Sequence, residues 1–123
     1  MRLTRPAVEG DEDVPAASHL LVETKGPWSG PGCAGFLRDA AALARRGDRV
    51  RLLFIQDGVS AAVADASDEA ASAAHAGCEI WVDRFSLAQR GLQESGLLPA
   101  AAPVAMTEVA ACVLDPDVRV VWH

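Results

Sequence analysis

The sequence predicts a single three-layer α/β domain, with a mostly parallel sheet between two layers of helices. Short apolar runs alternate with helical patterns along the chain, which is the order of elements in a parallel sheet joined by helices. The run "RVRLLFIQDG" is almost continuously apolar at residues 50–55, as expected for a strand buried on both faces. A length of 123 residues fits one domain with one core.

The domain is predicted to span residues 18–123. Residues 1–17 carry charges and two prolines without periodicity, which predicts a flexible tail. "HLLVET" then predicts the first strand, and a Gly- and Pro-rich loop follows at residues 26–32. "CAGFLRDAAALARRG" places apolar residues at helical spacing, and Gly47 is expected to end this helix.

The second half of the chain continues the alternation. "SDEAASAAH" predicts a helix with Asp65 or Ser67 as its N-cap, and "CEIWVDRF" predicts the third strand. Ser86 is expected to cap the short helical turn in "SLAQRGL". Residues 93–103 predict a connection, with a very short strand at residues 104–105 before the helix "MTEVAACVLDP". "VRVVW" is the last predicted strand.

Charge and hydropathy exclude two classes of partner. The net charge is -6, and a surface of this sign does not attract a phosphate backbone, so no nucleic-acid partner is expected. No apolar run reaches the roughly 18 residues of a spanning helix, and the start of the chain lacks a signal-peptide hydrophobic segment. We therefore expect no membrane association and a cytoplasmic location.

The cysteines and histidines show no disulfide or metal pattern. Cys33, Cys78 and Cys112 form no CxxC pair, and their odd number argues against a disulfide framework, in agreement with a reducing cytoplasm. The three histidines are scattered without metal-ligand spacing. We expect no metal and no cofactor.

Three loops are predicted to converge at the carboxyl ends of the strands, where parallel sheets bind ligands. They are residues 25–32, 56–60 and 83–89. Asp57 and Asp83 each end a predicted strand. Asp57 is more readily explained as a cap of a local turn, whereas Asp83 is equally compatible with a cap and with a ligand contact.

Cys33 is the candidate nucleophile at this edge. It follows the loop "GPWSGPG" and begins a helix, so its thiol would lie in the first turn, where the helix macrodipole lowers a thiol pKa. Lys25 could approach it across the loop. The alternative is that Cys33 is buried and packs as a small hydrophobe. The loop itself is better explained as a turn than as a phosphate cradle, because it lacks the GxGxxG and GxxxxGKS spacings.

The other cysteines and the tryptophans have simpler explanations. Cys78 opens the third strand, far from its carboxyl end, and Cys112 lies on an apolar helix face, so both are expected in the core. Trp81 and Trp122 are expected to pack against the sheet or a neighbouring subunit. Trp28 lies in a polar loop and is expected to line a pocket or cover an interface.

The segment "CEIWVDRFSLAQRGL", downstream of a strand that ends in "QDGV", resembles the DsrE/DsrF/DsrH (TusBCD-like) sulfur-relay family. The resemblance runs from about residue 19 to residue 123, and the closing "VRVVWH" is similar to the end of the DsrH/TusB branch. It implies a parallel five-stranded α/β fold and assembly into homo- or hetero-oligomeric trimers or hexamers. It also implies transfer of sulfane sulfur between cysteines as a persulfide, to or from a donor or acceptor protein.

The chain departs from this family at the position that carries the sulfur. In catalytic members of the family, the persulfide cysteine ends the third strand, nine residues before the residue that follows Arg-Gly, and this position is Asp83 here. A carboxylate cannot hold a persulfide, and Cys78 lies at the wrong end of the strand. Either Cys33 has taken over the role, or the chain is a non-transferring subunit, as is common in the DsrH/TusB branch.

Three functional hypotheses follow. In the first, the chain is a sulfur-relay subunit with Cys33 as its only credible carrier. In the second, it is a non-catalytic scaffolding or small-ligand-binding subunit, and its pocket is formed by the loop residues Lys25, Trp28, Ser29, Asp57 and Asp83. In the third, it is a partner-binding module whose interface consists of apolar helix faces and Trp122.

Overall fold

The structure of the protein, a computed structural model, describes residues 16–123. The predicted tail at residues 1–17 therefore lies almost wholly outside the described residues. The strands are β1 (Ser18–Glu23), β2 (Arg49–Phe54), β3 (Glu79–Asp83), β4 (Ala101–Val104) and β5 (Val118–Trp122). The α-helices are α1 (Gly32–Arg45), α2 (Asp68–Ala76), α3 (Arg84–Gln89) and α4 (Met106–Val113). Short 3-10 helices occur at Pro27–Ser29, Gln56–Ala62 and Glu94–Gly96.

The five strands form one sheet in the order β4-β3-β2-β1-β5, and all their pairings are parallel. This confirms the predicted three-layer α/β class. The chain steps in one direction from β1 to β4 and then returns to the other side of β1. Because crossover connections are right-handed, this reversal places α4 on the opposite face of the sheet from α1 and α2.

The sheet separates two cores of unequal size. The larger core joins α1 and α2 to one face of the sheet, and Leu37, Phe54 and Ile80 are among its buried members. The smaller core lies under α4 and contains Leu53 and Val109. One helix of eight residues thus covers most of the second face, and this face keeps several partly exposed apolar side chains at its rim.

Two local predictions need correction. Asp83, rather than Ser86, caps α3, because its side chain accepts a hydrogen bond from the Ser86 backbone N–H. The fourth strand occupies Ala101–Val104 rather than residues 104–105. The cap of α2 is Ser67, one of the two residues predicted for it.

Within residues 16–123, no helix has the length and apolarity to cross a bilayer.

Candidate functional site

An open pocket of about 250 Å³ lies at the carboxyl edge of the sheet, where the loops after β1, β2 and β3 meet. Its walls combine glycine backbone, an indole ring, hydroxyl groups and an ion pair. The lining residues are Gly26, Trp28, Ser29, Asp57, Ser60 and Arg90. The structure thus brings together three of the predicted binding residues, whereas Lys25 and Asp83 do not line this pocket.

Arg90 forms one wall of the pocket through an ion pair with Asp57. Its Nε and Nη2 donate to Asp57 Oδ1 at 3.2 and 2.8 Å, and its Nη1 donates to the Ser86 carbonyl oxygen at 3.3 Å. Asp57 is therefore an ion-pair partner rather than the predicted turn cap. Sequence reasoning missed Arg90 as a site residue, although the Arg-Gly pair after α3 was the signal that could have identified it.

Backbone packing brings the first two loops close enough to form the pocket. A Cβ atom on Gly58 would lie 2.1 Å from the Glu23 carbonyl oxygen, and one on Gly26 would lie 2.7 Å from Ser60 Oγ. A Cβ–O separation of 2.1 Å is a severe clash, so Gly58 is required by close approach of the β1 end rather than by its own φ angle. The loop after β2 can therefore lie directly against the end of β1.

Asp83 is held behind the pocket by a short hydrogen-bond network. It is 2% exposed, and its Oδ2 accepts from the backbone N–H and the Oγ of Ser86 at 3.0 and 2.6 Å. Ser86 Oγ in turn accepts from the Gln56 backbone N–H at 2.8 Å, and Gln56 adopts a positive φ of 55°. Within the described part of the chain, Asp83 Oδ1 is buried without a hydrogen-bond donor.

Cys33 lies in the first turn of α1 but does not have the properties of a reactive thiol. It is 3% exposed, and burial raises its pKa to about 12; the charge of Glu23 and a hydrogen bond to that carboxylate act in the same direction. The expectation that the helix macrodipole lowers this pKa is therefore wrong. The dipole effect weakens when a thiolate would have to form away from water and next to a negative charge.

Glu23, a residue that sequence reasoning missed, is the charged group next to Cys33. Its side chain is completely buried, and it accepts hydrogen bonds from the Lys25 backbone N–H at 3.1 Å and from His123 Nδ1 at 2.9 Å. The His123 ring also stacks on Phe36, with 4.9 Å between ring centroids. The signal in the sequence was a carboxylate at the end of the apolar run "HLLVE". Lys25 contributes its backbone here, and the residue is exposed.

The other two cysteines lie in the cores, as predicted. The Cys78 thiol donates to the Ala40 carbonyl oxygen at 3.5 Å, and burial raises its pKa to about 11. Cys112 is also buried, and its Sγ accepts from Arg51 Nη1 at 3.3 Å. The Arg51 guanidinium stacks over the Trp81 ring at 5.2 Å. Cys112 is the cysteine with a cation as its hydrogen-bond partner, and it lies on α4 in the smaller core, whereas the pocket lies at the carboxyl edge of the sheet.

The described residues offer no metal site. Within residues 16–123, no group of three or more His, Cys, Asp or Glu side chains is arranged to hold a metal ion. The groups that line the pocket at the carboxyl edge include hydroxyl groups, the indole of Trp28 and the Arg90 guanidinium.

Comparison with solved structures identifies the type of fold. The chain is similar to the YchN protein from E. coli, with a TM-score of 0.77 over 87% of this chain and 99% of that one, at 17% sequence identity. The fold is DsrE-like. No protein-family model matches the sequence, and no curated protein matches it. At this level of identity, the likeness to YchN shows the fold, in agreement with the resemblance seen in the sequence.

Proposed function

We propose that this protein is a ligand-binding subunit within a DsrE-like assembly and that it does not itself carry a persulfide. The observation that carries the proposal is the pairing of the buried Cys33 thiol with the buried Glu23 carboxylate. A sulfur carrier attacks as a thiolate and needs access to its partner protein. The burial of Cys33 beside the Glu23 carboxylate disfavours the thiolate and blocks this access. Asp83 occupies the position at which the resemblance places the sulfur-carrying cysteine.

The pocket beside Trp28 is the binding site in this proposal. Its volume of about 250 Å³ lies just below the usual range for sites of drug-sized ligands, so the ligand is a small metabolite. The indole of Trp28 is 76% exposed and offers a flat apolar surface. Ser29, Ser60 and Arg90 offer hydrogen-bonding groups beside it. The ligand class is a small organic acid with a planar or apolar part.

The relay function through Cys33 is the alternative, and its position in the fold supports it. Cys33 begins the helix that follows β1, at the same sheet edge as the pocket. Transfer would require an opening of the first turn of α1 that separates the thiol from Glu23. A sulfur donor or acceptor protein belongs to the relay function. A cytoplasmic trimer or hexamer, with copies of this chain or other subunits, is part of both proposals.

Intact mass after incubation with a sulfane-sulfur donor separates the two functions. We expect no gain in the native wild-type protein, because all three thiols are buried. A gain of about 32 Da that disappears in Cys33→Ser, but persists in Cys78→Ser and Cys112→Ser, would establish the relay instead.

Binding is tested by amide and indole chemical-shift changes when a panel of small aromatic and aliphatic carboxylic acids is added. We expect shifts at Trp28 and Gly26, and their loss in Trp28→Ala. Leu114→Ala is the matched control, because Leu114 is 80% exposed and lies at the end of α4, outside the pocket. Shifts that are absent, or equal in both variants, would contradict the binding function.

A further inference from the structure

The two edge strands of the sheet are protected to different degrees. An edge strand leaves backbone N–H and C=O groups unpaired, and natural proteins shield such edges with proline, charge or short length. β4 has four residues and contains Pro103, whereas β5 has the sequence "VRVVW", without proline and with one charged residue. Val121 and Trp122 are 47% and 58% exposed. Within residues 16–123, no strand lies beyond β5.

The hydrogen bonds to β1 show which groups of β5 face outward. The His123 N–H donates to the Val22 carbonyl oxygen, and the His123 carbonyl oxygen accepts from the Thr24 N–H. Since backbone groups alternate in direction along a strand, Arg119 also directs its N–H and C=O toward β1. The N–H and C=O groups of Val120 and Trp122 consequently point away from the sheet.

We propose that β5 pairs with β5 of a second copy of this chain, antiparallel and across a two-fold axis at Val120. In this register, Val120 of each copy exchanges both backbone hydrogen bonds with its counterpart. The Trp122 N–H meets the outward carbonyl oxygen of Val118 in the second copy. The two sheets then continue as one, and Trp122 of each copy becomes a cross-strand neighbour of Val118 in the other.

The side chains of β5 are self-complementary in this register. Trp122 lies opposite Val118, an aromatic and β-branched pair that stabilises sheets. Arg119 lies opposite Val121, so the two arginines do not face each other. Asp117 lies opposite His123, which places a carboxylate near an imidazole. A second copy therefore satisfies the edge without placing like charges opposite each other, and this favours it over an unrelated strand.

The interface goes beyond the proposed ligand-binding function and does not depend on it. A two-fold contact requires an even number of chains, so it is compatible with a dimer or a hexamer and not with an isolated trimer. Loss of ligand binding would leave this interface unchanged, and a monomeric protein could still bind the ligand.

Light scattering coupled to size-exclusion chromatography tests the interface with Val120→Pro. Proline removes the outward N–H at this position and leaves the β1 hydrogen bonds in place. We expect an even-numbered assembly for the wild type and at least a tenfold weaker two-fold association for Val120→Pro. Val120→Ala is the matched control, because it shortens the same side chain and keeps the N–H. A monomeric wild type, or equal assembly of the wild type and Val120→Pro, would overturn the proposal.

Amide hydrogen exchange on the wild type keeps the test decisive if Val120→Pro does not fold. In a monomer, the outward amides of Val120 and Trp122 exchange rapidly, whereas the inward amide of Val121 is protected by β1. We expect Val120 and Trp122 to be protected at high protein concentration and to lose this protection on dilution. Rapid exchange at both residues in the concentrated protein would show that β5 remains a free edge.

Discussion

Two buried carboxylates lie at the same edge of the sheet, and their surroundings differ. Glu23, at the end of β1, accepts hydrogen bonds from a backbone N–H and from His123, and it also contacts the Cys33 thiol. Asp83, at the end of β3, accepts hydrogen bonds through Oδ2 alone. Its Oδ1 has no donor among the described residues, although the side chain is almost completely buried.

The difference distinguishes a carboxylate that is hydrogen-bonded through both oxygens from one that is hydrogen-bonded through a single oxygen. A buried charge is costly unless it is paired and hydrogen-bonded, and Glu23 meets this condition through His123. Asp83 meets it in part, through the cap of α3. Buried polar atoms without a protein partner are commonly hydrogen-bonded to an ordered water molecule. The β1 end thus holds a buried carboxylate with both oxygens hydrogen-bonded, and the β3 end holds one in which a single oxygen is hydrogen-bonded.

The largest expected effect is that of His123→Ala, which removes the only imidazole partner of Glu23 in the described structure. An unpaired carboxylate would then be buried, so we expect the free energy of unfolding to fall by about 3 kcal/mol in urea denaturation at neutral pH. His75→Ala is the matched control, because His75 is exposed on α2, and its loss should cost less than about 0.5 kcal/mol.

The double variant His123→Ala with Glu23→Gln sharpens this result. It removes the buried charge together with its partner, so we expect it to recover part of the lost stability. If Glu23→Gln lowered the stability of the His123→Ala variant by as much as it lowers that of the wild type, the two residues would not act as a pair.

A smaller effect is expected at the β3 end. Asp83→Ala removes the N-cap of α3 and should lower the free energy of unfolding by about 1 kcal/mol, whereas Asp83→Asn keeps an acceptor for Ser86 and should cost less. Thermal unfolding measures both. If Asp83→Asn were as destabilising as His123→Ala, Asp83 would be as essential to the fold as Glu23, and the contrast between the two carboxylates would fail.

At neutral pH the ionisation of Cys33 has no effect on stability, and its effect is expected only in alkaline solution. The folded protein keeps this thiol protonated to a pKa of about 12, against 9.0 for an unperturbed thiol. Below pH 9 the folded and unfolded states are both protonated, so this difference in pKa contributes no change of stability with pH there. Between the two values the unfolded state releases its proton first, so stability falls as the pH rises.

Urea denaturation across this alkaline interval measures the effect, and thiolate ultraviolet absorbance follows the ionisation itself. We expect Cys33→Ala to reduce the alkaline loss more than Cys78→Ala, because the pKa of Cys78 is raised less, to about 11. A Cys33 thiolate detectable in the folded protein near neutral pH would contradict the buried-thiol geometry and would favour the relay function.

The patterns in the sequence were sufficient for the fold and for part of the pocket. The apolar run of β2 and the Ser67 cap appear in the structure as predicted. The convergence of the three loops followed from the rule that parallel strands end at one edge, and it placed Trp28 and Asp57 in one pocket. These features depend on local periodicity and on topology, both of which are encoded in neighbouring residues.

The errors at the candidate site concern contacts between residues far apart in the sequence. Asp57 pairs with Arg90, 33 positions away, and Glu23 pairs with His123, 100 positions away. The ionisation of Cys33 depends on the second pair, since the packing that buries the thiol also brings Glu23 next to it. No local pattern contains this information.

The sequence by itself determined the α/β class, the order of strands and helices and the edge at which the three loops meet, because hydrophobic periodicity and turn chemistry are local. The tertiary structure alone decided the protonation behaviour of Cys33, the pairing of Glu23 and the unpaired oxygen of Asp83. A thiol pKa and the cost of a buried charge depend on the distance to water and to other charges, and those distances are fixed only when β1, β5 and α1 pack together.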